Sequence, residues 1–256
     1  VLQTAESGYA ARLAGLKAGL PHEVPAIAIN RQCSSGLEAI NIAAQLIATG
    51  EAEIIVAGGT ENMSQAPFAM PKVRWDGLKL GNQVIEDLLI NGLSCPVNRY
   101  HMGVTAENVA ARFEIGRADQ DELALLSHQR AVRAIEEGRF KEQIAPVTVP
   151  QRRGDPIVVE QDEHPRKDAS LEHLASLSPA FKKGGTVTAG NASGLNDAAA
   201  VVVLMSEAKA REMGIAPKLA YRARAVAGVE PAIMGTGPVP AVRKVLAKTG
   251  MALGDI

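Results

Sequence analysis

Residues 10–59 alternate twice between a helical and a strand-like hydrophobic pattern, and this alternation restricts the chain to a layered fold. Leucines recur at helical spacing over residues 10–20, and an apolar stripe with the same period covers residues 37–47. The intervening segments, residues 24–30 and 53–59, are apolar runs of strand length. Helix, strand, helix and strand in this order predict an α/β fold in which helices cover a sheet.

Cys33 lies where the first predicted strand enters the second predicted helix. The N-terminus of a helix directs backbone N–H groups and the positive end of its dipole toward such a position. Thiolate, the nucleophilic form of cysteine, is favoured there. The small residues Ser34, Ser35 and Gly36 follow directly and would let a substrate approach. Cys33 is therefore a candidate nucleophile, although a small buried apolar side chain remains the open alternative.

The composition changes between about Asn62 and Lys183, where prolines, methionines and charged residues accumulate. We interpret this stretch as an excursion or lid outside the layered part. It contains two predicted helices, over residues 104–113 and 118–137, and short strands near residues 144–149 and 157–159. Beyond it we predict a buried strand or core helix at Ala198–Met205, a helix at 207–213 capped by Ser206, a strand at 218–228 and a helix at 241–248.

Charge and cysteine content exclude several classes of function. The net charge of −1 offers no field that would attract nucleic acid. The longest apolar run, Ala198–Met205, is far shorter than the roughly 18 residues of a membrane span. The histidines are scattered without metal-ligand spacing, so we expect no metal site. Two cysteines do not form a secreted disulfide framework, and they favour a reducing, cytoplasmic compartment.

Three further features could bind a ligand, and each has a purely structural alternative. His101 precedes the predicted helix at 104–113, where a loop histidine can also be structural. The small residues of Thr186–Asp197 permit close approach of an elongated ligand, or form a tight turn. The basic pairs Arg152–Arg153 and Arg166–Lys167 could contact phosphate or simply face solvent.

Five motifs, taken together, resemble the thiolase family in order and spacing over nearly the whole chain. They are Asn30–Gly36, Gly58–Ser64, His101–Asn108, Gly185–Asp197 and Met234–Pro238. Because a histidine begins the motif at position 101, the chain looks most like the acetyl-CoA acetyltransferase and β-ketothiolase branch of the family. The resemblance implies an α-β-α-β-α layered fold with an inserted loop domain. Residues 1–62 and 195–214 would form the first half, residues 63–194 the loop domain over the coenzyme A site, and residues 215–256 the start of an incomplete second half.

The resemblance also implies the site. Cys33 matches the family nucleophile, which carries the acyl group as a thioester. His101 would lie near the acyl group, and Arg166 would meet the nucleotide end of coenzyme A. The other matched positions would surround the pantetheine and acyl chain: Leu93, Met102, Phe181, Ala189, Gly190, Ser193 and Gly194.

The implied activity is acyl transfer, either thiolysis of a 3-ketoacyl-CoA or condensation of two acetyl-CoA molecules, as in fatty acid metabolism. Coenzyme A, acetyl-CoA and 3-ketoacyl-CoA would be substrates, with no separate cofactor, and the protein would be a homodimer or homotetramer. The family's Asn-Glu-Ala-Phe, Gly-His-Pro and Cys-x-Gly elements do not occur in these 256 residues. We therefore expect a partial thiolase, weakly active or inactive alone. A non-catalytic coenzyme A-binding module and half of a split enzyme are the alternatives.

Overall fold

The computed structural model describes residues 7–256, which form two compact units. The first unit comprises the described residues through Tyr100, with Leu195–Val229 and Thr236–Ile256. The second comprises His101–Gly194 and Glu230–Gly235. Residues 63–100 thus cluster with the first unit. The predicted division into a thiolase half, a loop domain and the start of a second half stays a prediction, and its first six residues lie outside the described part.

The first unit contains six α-helices and four strands among the described residues. α1 and α2 confirm the helices predicted near residues 10–20 and 37–47. In chain order the elements before Tyr100 are α1 (Ala10–Lys17), α2 (Ser35–Ala48), β1 (Ile54–Glu61), β2 (Phe68–Ala69), α3 (Val73–Asp76), β3 (Glu86–Asp87) and α4 (Leu88–Gly92). Those after Gly194 are β6 (Ala198–Met205), α8 (Glu207–Glu212) and α9 (Pro238–Thr249).

The main sheet of this unit is the antiparallel pair β1–β6. The register runs from Ile54 opposite Met205 to Glu61 opposite Ala198, and α2 packs against both strands. A Cβ on Gly58 would lie 2.2 Å from the carbonyl oxygen of Ala200, so only glycine allows the strands to approach this closely. The strand predicted at residues 53–59 is confirmed, and Ala198–Met205 forms a strand rather than the alternative core helix. The predicted burial of Ala198–Met205 is wrong, since Val201 is 71% exposed. Within the described residues, no second layer covers that part of β6.

Two predicted strands are absent from the described residues. Residues 24–30 are irregular, and the Arg12 guanidinium donates to the carbonyl oxygens of Val24, the first of them, and of His22 just before. Residues 218–228 are irregular too. Both segments have a strand-like apolar pattern, but a strand also requires a partner that supplies hydrogen bonds. Pro25 removes a backbone donor from the first segment as well.

The second unit is built on two helices, α5 (Met102–Arg112) and α6 (Arg117–Glu136). A hairpin of β4 (Val147–Val149) and β5 (Ile157–Val159) follows, and α7 (Leu171–Ser176) packs on α6. These elements confirm the two helices and the short strands predicted here.

Local signals explain where several helices begin. Ser170 and Ser206 accept hydrogen bonds from the backbone N–H groups of His173 and Lys209, and so cap α7 and α8. The Ser206 cap was expected from the sequence and is confirmed. In the part of the chain that the structure describes, no helix combines the length and apolar character needed to cross a membrane.

Candidate active site

Cys33 is exposed and lies two residues before the start of α2, as predicted. The turn that carries it is held by side chains. The Asn30 Oδ1 accepts from the Gln32 N–H at 2.8 Å, while Ser35 Oγ accepts from the Arg31 N–H at 2.8 Å and donates to the Gln32 carbonyl at 2.6 Å. Gln32 has a φ of 50°. The polar turn, rather than the predicted strand, therefore places the thiol at the helix end.

Glycines bring the first turn of α2 onto β1. A Cβ on Gly59 would lie 3.2 Å from the Gly36 Cα, so a side chain at that position would force the helix and strand apart. This approach fixes the helix start, and with it Cys33, over the strand. The glycines predicted to mark a strand near a site thus have a packing role as well.

Glu38 forms a polar network behind the Cys33 turn. Its carboxylate lies 3.0 Å from the Arg224 guanidinium and 3.8 Å from that of Arg31, and it accepts a hydrogen bond from Asn41 at 3.2 Å. Tyr221 in turn donates to Asn41 at 3.1 Å. The Asn41 hydrogen bond and the two guanidinium charges hold the pKa of Glu38 below its ordinary value, although burial opposes this. The network ties the residues before Cys33 to the irregular segment 218–228.

A second group of hydrogen bonds in this unit joins the residues that flank the paired ends of β1 and β6. Ser64 donates to the Asp197 carboxylate from its backbone N–H at 2.9 Å and from its hydroxyl. These hydrogen bonds lower the pKa of Asp197. The last residues of two thiolase-like motifs, Gly58–Ser64 and Gly185–Asp197, are therefore in contact.

His101 caps α5 and stacks on Phe181. Its Nδ1 accepts from the Gly103 N–H at 3.0 Å, so Nε2 carries the hydrogen in the neutral ring. The two rings are nearly parallel, with centroids 4.7 Å apart and an interplanar angle of 8°. A Cβ on Gly103 would lie 2.1 Å from Phe181 Cγ, so Phe181 lies directly on the helix backbone. The structure therefore brings together two of the predicted site residues.

Glu107 anchors the start of the small-residue loop at residues 186–194. This carboxylate is 5% exposed and accepts from the backbone N–H groups of Thr186 and Val187, each at 2.8 Å. Burial alone would raise the pKa of Glu107, but the hydrogen bonds from Val187 and Thr186 outweigh it and hold that pKa below its ordinary value. A Cβ on Gly185 would lie 2.2 Å from Glu107 Oε1, so glycine is required beside the carboxylate.

Asn191 closes the same loop on α6. Its amide donates to Asp121 at 2.9 Å and to the Thr186 carbonyl at 3.1 Å, while its Oδ1 accepts from the Thr188 N–H at 2.8 Å. Asp121 is itself paired with Arg117, whose Nε lies 2.6 Å away. The loop is therefore fixed by buried polar contacts rather than by regular secondary structure.

The remaining predicted site residues lie in both units. Ala189 and Ser193 are exposed in the fixed loop, and Gly190 and Gly194 are half-buried there. Met102 is the first residue of α5. Arg166 is exposed and its backbone N–H donates to His128. Those residues belong to the second unit, whereas Cys33 and the half-buried Leu93 belong to the first.

The sequence interpretation missed four residues that shape this region. Glu38, Glu107, Asp121 and Asn191 are polar residues that make several contacts each. A signal existed for Glu38, which lies between Leu37 and Ala39 in the predicted apolar helix, whereas Glu107 has the polar neighbour Asn108. Among residues 7–256, no group of three or more histidine, cysteine, aspartate or glutamate side chains is arranged to hold a metal ion.

Comparison with known proteins now identifies the family. Residues 1–208 match the model of the thiolase N-terminal domain. The chain belongs to the thiolase family. The expected family and mixed α/β thiolase fold are thereby confirmed.

The similar proteins include bacterial acetyl-CoA acetyltransferases. This thiolase chain is 51% identical over 255 residues to acetyl-CoA acetyltransferase of Chromobacterium violaceum. That alignment covers 99% of this chain and 65% of the relative. The acetyl-CoA acetyltransferase crystal structure from Bacillus anthracis has a TM-score of 0.90 at 48% identity, over 99% of this chain and 64% of that one.

A second similar structure contains coenzyme A. It is human mitochondrial 3-ketoacyl-CoA thiolase in complex with CoA, with a TM-score of 0.92, 42% identity and coverage of 100% of this chain and 64% of that chain. The thiolase chain described here thus spans 64–65% of the length of these three proteins.

Proposed function

We propose that this thiolase transfers acyl groups between coenzyme A thioesters through an acyl-enzyme on Cys33. The observation that carries the proposal is the exposed thiol at the start of α2, on a turn fixed by side chains. Family membership and the names of the relatives, acetyl-CoA acetyltransferase and 3-ketoacyl-CoA thiolase, support the reaction class. Such chemistry would place the protein in fatty acid metabolism.

In the thiolysis direction, the Cys33 thiolate attacks the keto carbon of a 3-ketoacyl-CoA. The bond between the α- and β-carbons then breaks, the departing acetyl-CoA carbanion takes up a proton, and the acyl group stays on sulfur. The thiolate of free coenzyme A attacks this thioester, forms acyl-CoA and releases Cys33. The reverse sequence joins two acetyl-CoA molecules.

The helix end supplies the electrostatic support for these steps. The backbone N–H groups of Ser34 and Ser35 already donate to the carbonyl oxygens of Arg31 and Gln32, at 3.1 and 3.0 Å. We therefore assign the stabilisation of negative charge to the dipole of α2 as a whole rather than to those two donors.

We assign substrate contacts to the other matched residues. His101 presents its Nε2 hydrogen to a carbonyl oxygen near the acyl group, since Nδ1 is engaged by Gly103. Arg166, which is exposed, contacts the nucleotide phosphates. The pantetheine and acyl parts contact small or apolar positions, which leave room for an elongated chain: Leu93, Met102, Phe181, Ala189, Gly190, Ser193 and Gly194.

The acylation is tested by intact mass spectrometry after incubation with acetoacetyl-CoA. We expect an acetyl adduct on the protein and on Cys95→Ala, which removes the other, buried cysteine, and no adduct on Cys33→Ala. An adduct that survives in Cys33→Ala would refute the assigned nucleophile. Since the Gly-His-Pro and Cys-x-Gly elements do not occur in these residues, we expect slow steady turnover by them alone.

The two alternatives give other results in the same experiment. A non-catalytic module would bind coenzyme A without forming an adduct in any variant. Half of a split enzyme would form the adduct rapidly only when a chain supplying the Gly-His-Pro histidine is present.

The proposal also covers the oligomeric state and the cellular location of the protein. We infer a homodimer or homotetramer, supported by the apolar side chains that face solvent in residues 73–85, among them Trp75 at 93% exposure. We also propose a cytoplasmic location, supported by two cysteines that are both free thiols. Molar mass by light scattering tests the first statement, and cell fractionation tests the second.

A further inference from the structure

The loop that carries Arg166 is attached to α6 at two points. The Arg166 backbone N–H donates to Nδ1 of His128, with 3.2 Å between the nitrogens. One residue later, the Lys167 ammonium lies 2.9 Å from the Glu136 carboxylate. Positions 128 and 136 are roughly 12 Å apart along a helix with a rise of 1.5 Å per residue. The loop therefore contacts α6 at two separate places, and only one of them uses the backbone of Arg166.

The His128 contact depends on the protonation state of the imidazole. Nδ1 accepts a hydrogen bond only while it carries no proton. His128 is half-buried, and the His164 ring lies beside it with centroids 6.2 Å apart. The charged and titratable groups facing it are His164, Arg166 and Asp168, all on the loop. Two of these three would repel an imidazolium.

We propose that His128 is a positioning residue, whose neutral ring fixes the backbone of Arg166 on α6 and so sets where the guanidinium meets coenzyme A. The inference rests on the proposed role of Arg166 in contacting the nucleotide phosphates. The backbone hydrogen bond restricts the loop before the ligand arrives, and less freedom then has to be lost on binding.

A pH dependence follows from the same contact. Burial, followed by the charges of His164 and Arg166, lowers the pKa of His128 below its ordinary value, and Asp168 opposes that shift. The neutral ring is thus favoured in the folded protein, and the contact is complete at neutral pH. As the pH falls through this lowered pKa, below about 6.5, Nδ1 becomes a donor and the Arg166 N–H loses its acceptor.

Two substitutions at position 128 separate the acceptor from the charge. His128→Asn keeps an acceptor near the position of Nδ1 but does not titrate, and His128→Leu removes the acceptor. Lys167→Gln is the matched control, because it breaks the other attachment of the same loop. Coenzyme A affinity is measured by calorimetry at pH 7.5 and 5.5, and deuterium exchange of the peptide at residues 161–170 is followed without ligand.

At pH 7.5 we expect His128→Leu to exchange faster in this peptide and to bind coenzyme A about fivefold more weakly, the effect of one hydrogen bond. His128→Asn should bind as the unmodified protein does at pH 7.5, and should lose less affinity at pH 5.5 than that protein, since only titration of the coenzyme A phosphate remains. Lys167→Gln should keep the pH-dependent loss.

Unchanged exchange in His128→Leu would overturn the proposal, and so would a pH-dependent loss of affinity as large in His128→Asn as in the unmodified protein. Arg166→Gln tests the premise separately. If it binds coenzyme A normally, the role of Arg166 and the positioning role of His128 are both refuted, while acylation of Cys33 remains tested by its own adduct.

Discussion

Replacing Glu107 should loosen the loop at residues 186–194 by an amount that the hydrogen bonds predict. The carboxylate accepts from the Thr186 N–H through both oxygens, at 2.8 and 2.9 Å, from the Val187 N–H at 2.8 Å and from the Thr186 hydroxyl at 3.1 Å. In Glu107→Gln, the amide oxygen can take the position of Oε1 and keep both backbone donors. The amide NH₂ then faces the Thr186 hydroxyl, which can rotate to accept.

The expected cost of Glu107→Gln is therefore the loss of charge assistance and of one shared contact, about 1–2 kcal/mol of the free energy of unfolding. Glu107→Ala also leaves the N–H groups of Thr186 and Val187 without this acceptor. Each unsatisfied buried donor costs about 1–3 kcal/mol, so about 2–6 kcal/mol is expected for alanine. We specifically expect Glu107→Ala to be less stable than Glu107→Gln.

The difference in free energy of unfolding between the parent protein and Glu107→Gln should depend on pH, because the pKa of Glu107 is lowered. The Val187 and Thr186 hydrogen bonds lower that pKa against the effect of burial. A carboxyl whose pKa is lower when folded contributes stability that is present above the unfolded pKa and is lost as the pH falls through the folded pKa. The difference between the parent protein and Glu107→Gln should thus be constant at neutral pH and shrink below about pH 4.3.

Thermal and urea unfolding followed by circular dichroism measure these differences, with the exposed Glu122→Gln on α6 as the control. About 1 kcal/mol corresponds to a shift of about 2–4 °C in Tm for a chain of this size. Equal stability of Glu107→Gln and Glu122→Gln, or of Glu107→Gln and Glu107→Ala, would refute the reasoning.

Three further outcomes are expected. Gly103→Ala places a Cβ about where the Phe181 ring lies, so the stability should fall by about 1–3 kcal/mol in urea unfolding, and the KM for coenzyme A should rise. Glu38→Ala leaves Arg224 and Arg31, which precedes Cys33 in its turn, without their carboxylate, so acylation of the proposed nucleophile Cys33 should slow in a time course of intact masses. Trp75→Ser removes the most exposed aromatic ring, so light scattering should show weaker self-association.

Predictions succeeded where the deciding interactions lie within one turn of helix. The cap by Ser206, the helices α5 and α6, and the position of Cys33 at the start of α2 depend on neighbours a few residues away. Such neighbours can be read from spacing alone. The apolar run Ala198–Met205 was predicted as a strand or a core helix, and its three consecutive valines suit the strand that forms.

Errors arose where a segment's state depends on distant partners. Residues 24–30 and 218–228 have the composition of strands, yet none forms there in the described residues, because a strand needs hydrogen bonds from another strand. The exposure of Val201 has the same origin, since burial depends on what packs against the strand.

The sequence by itself determined the thiolase motifs, most of the helices and the place of the candidate nucleophile at a helix end. Only the tertiary structure decided how the loop at residues 186–194 is held, because its contacts join residues far apart in the chain. Glu107 and Val187 are separated by 80 residues, Asp121 and Asn191 by 70. No local pattern encodes such pairs, which form only after the helices and the loop have packed together.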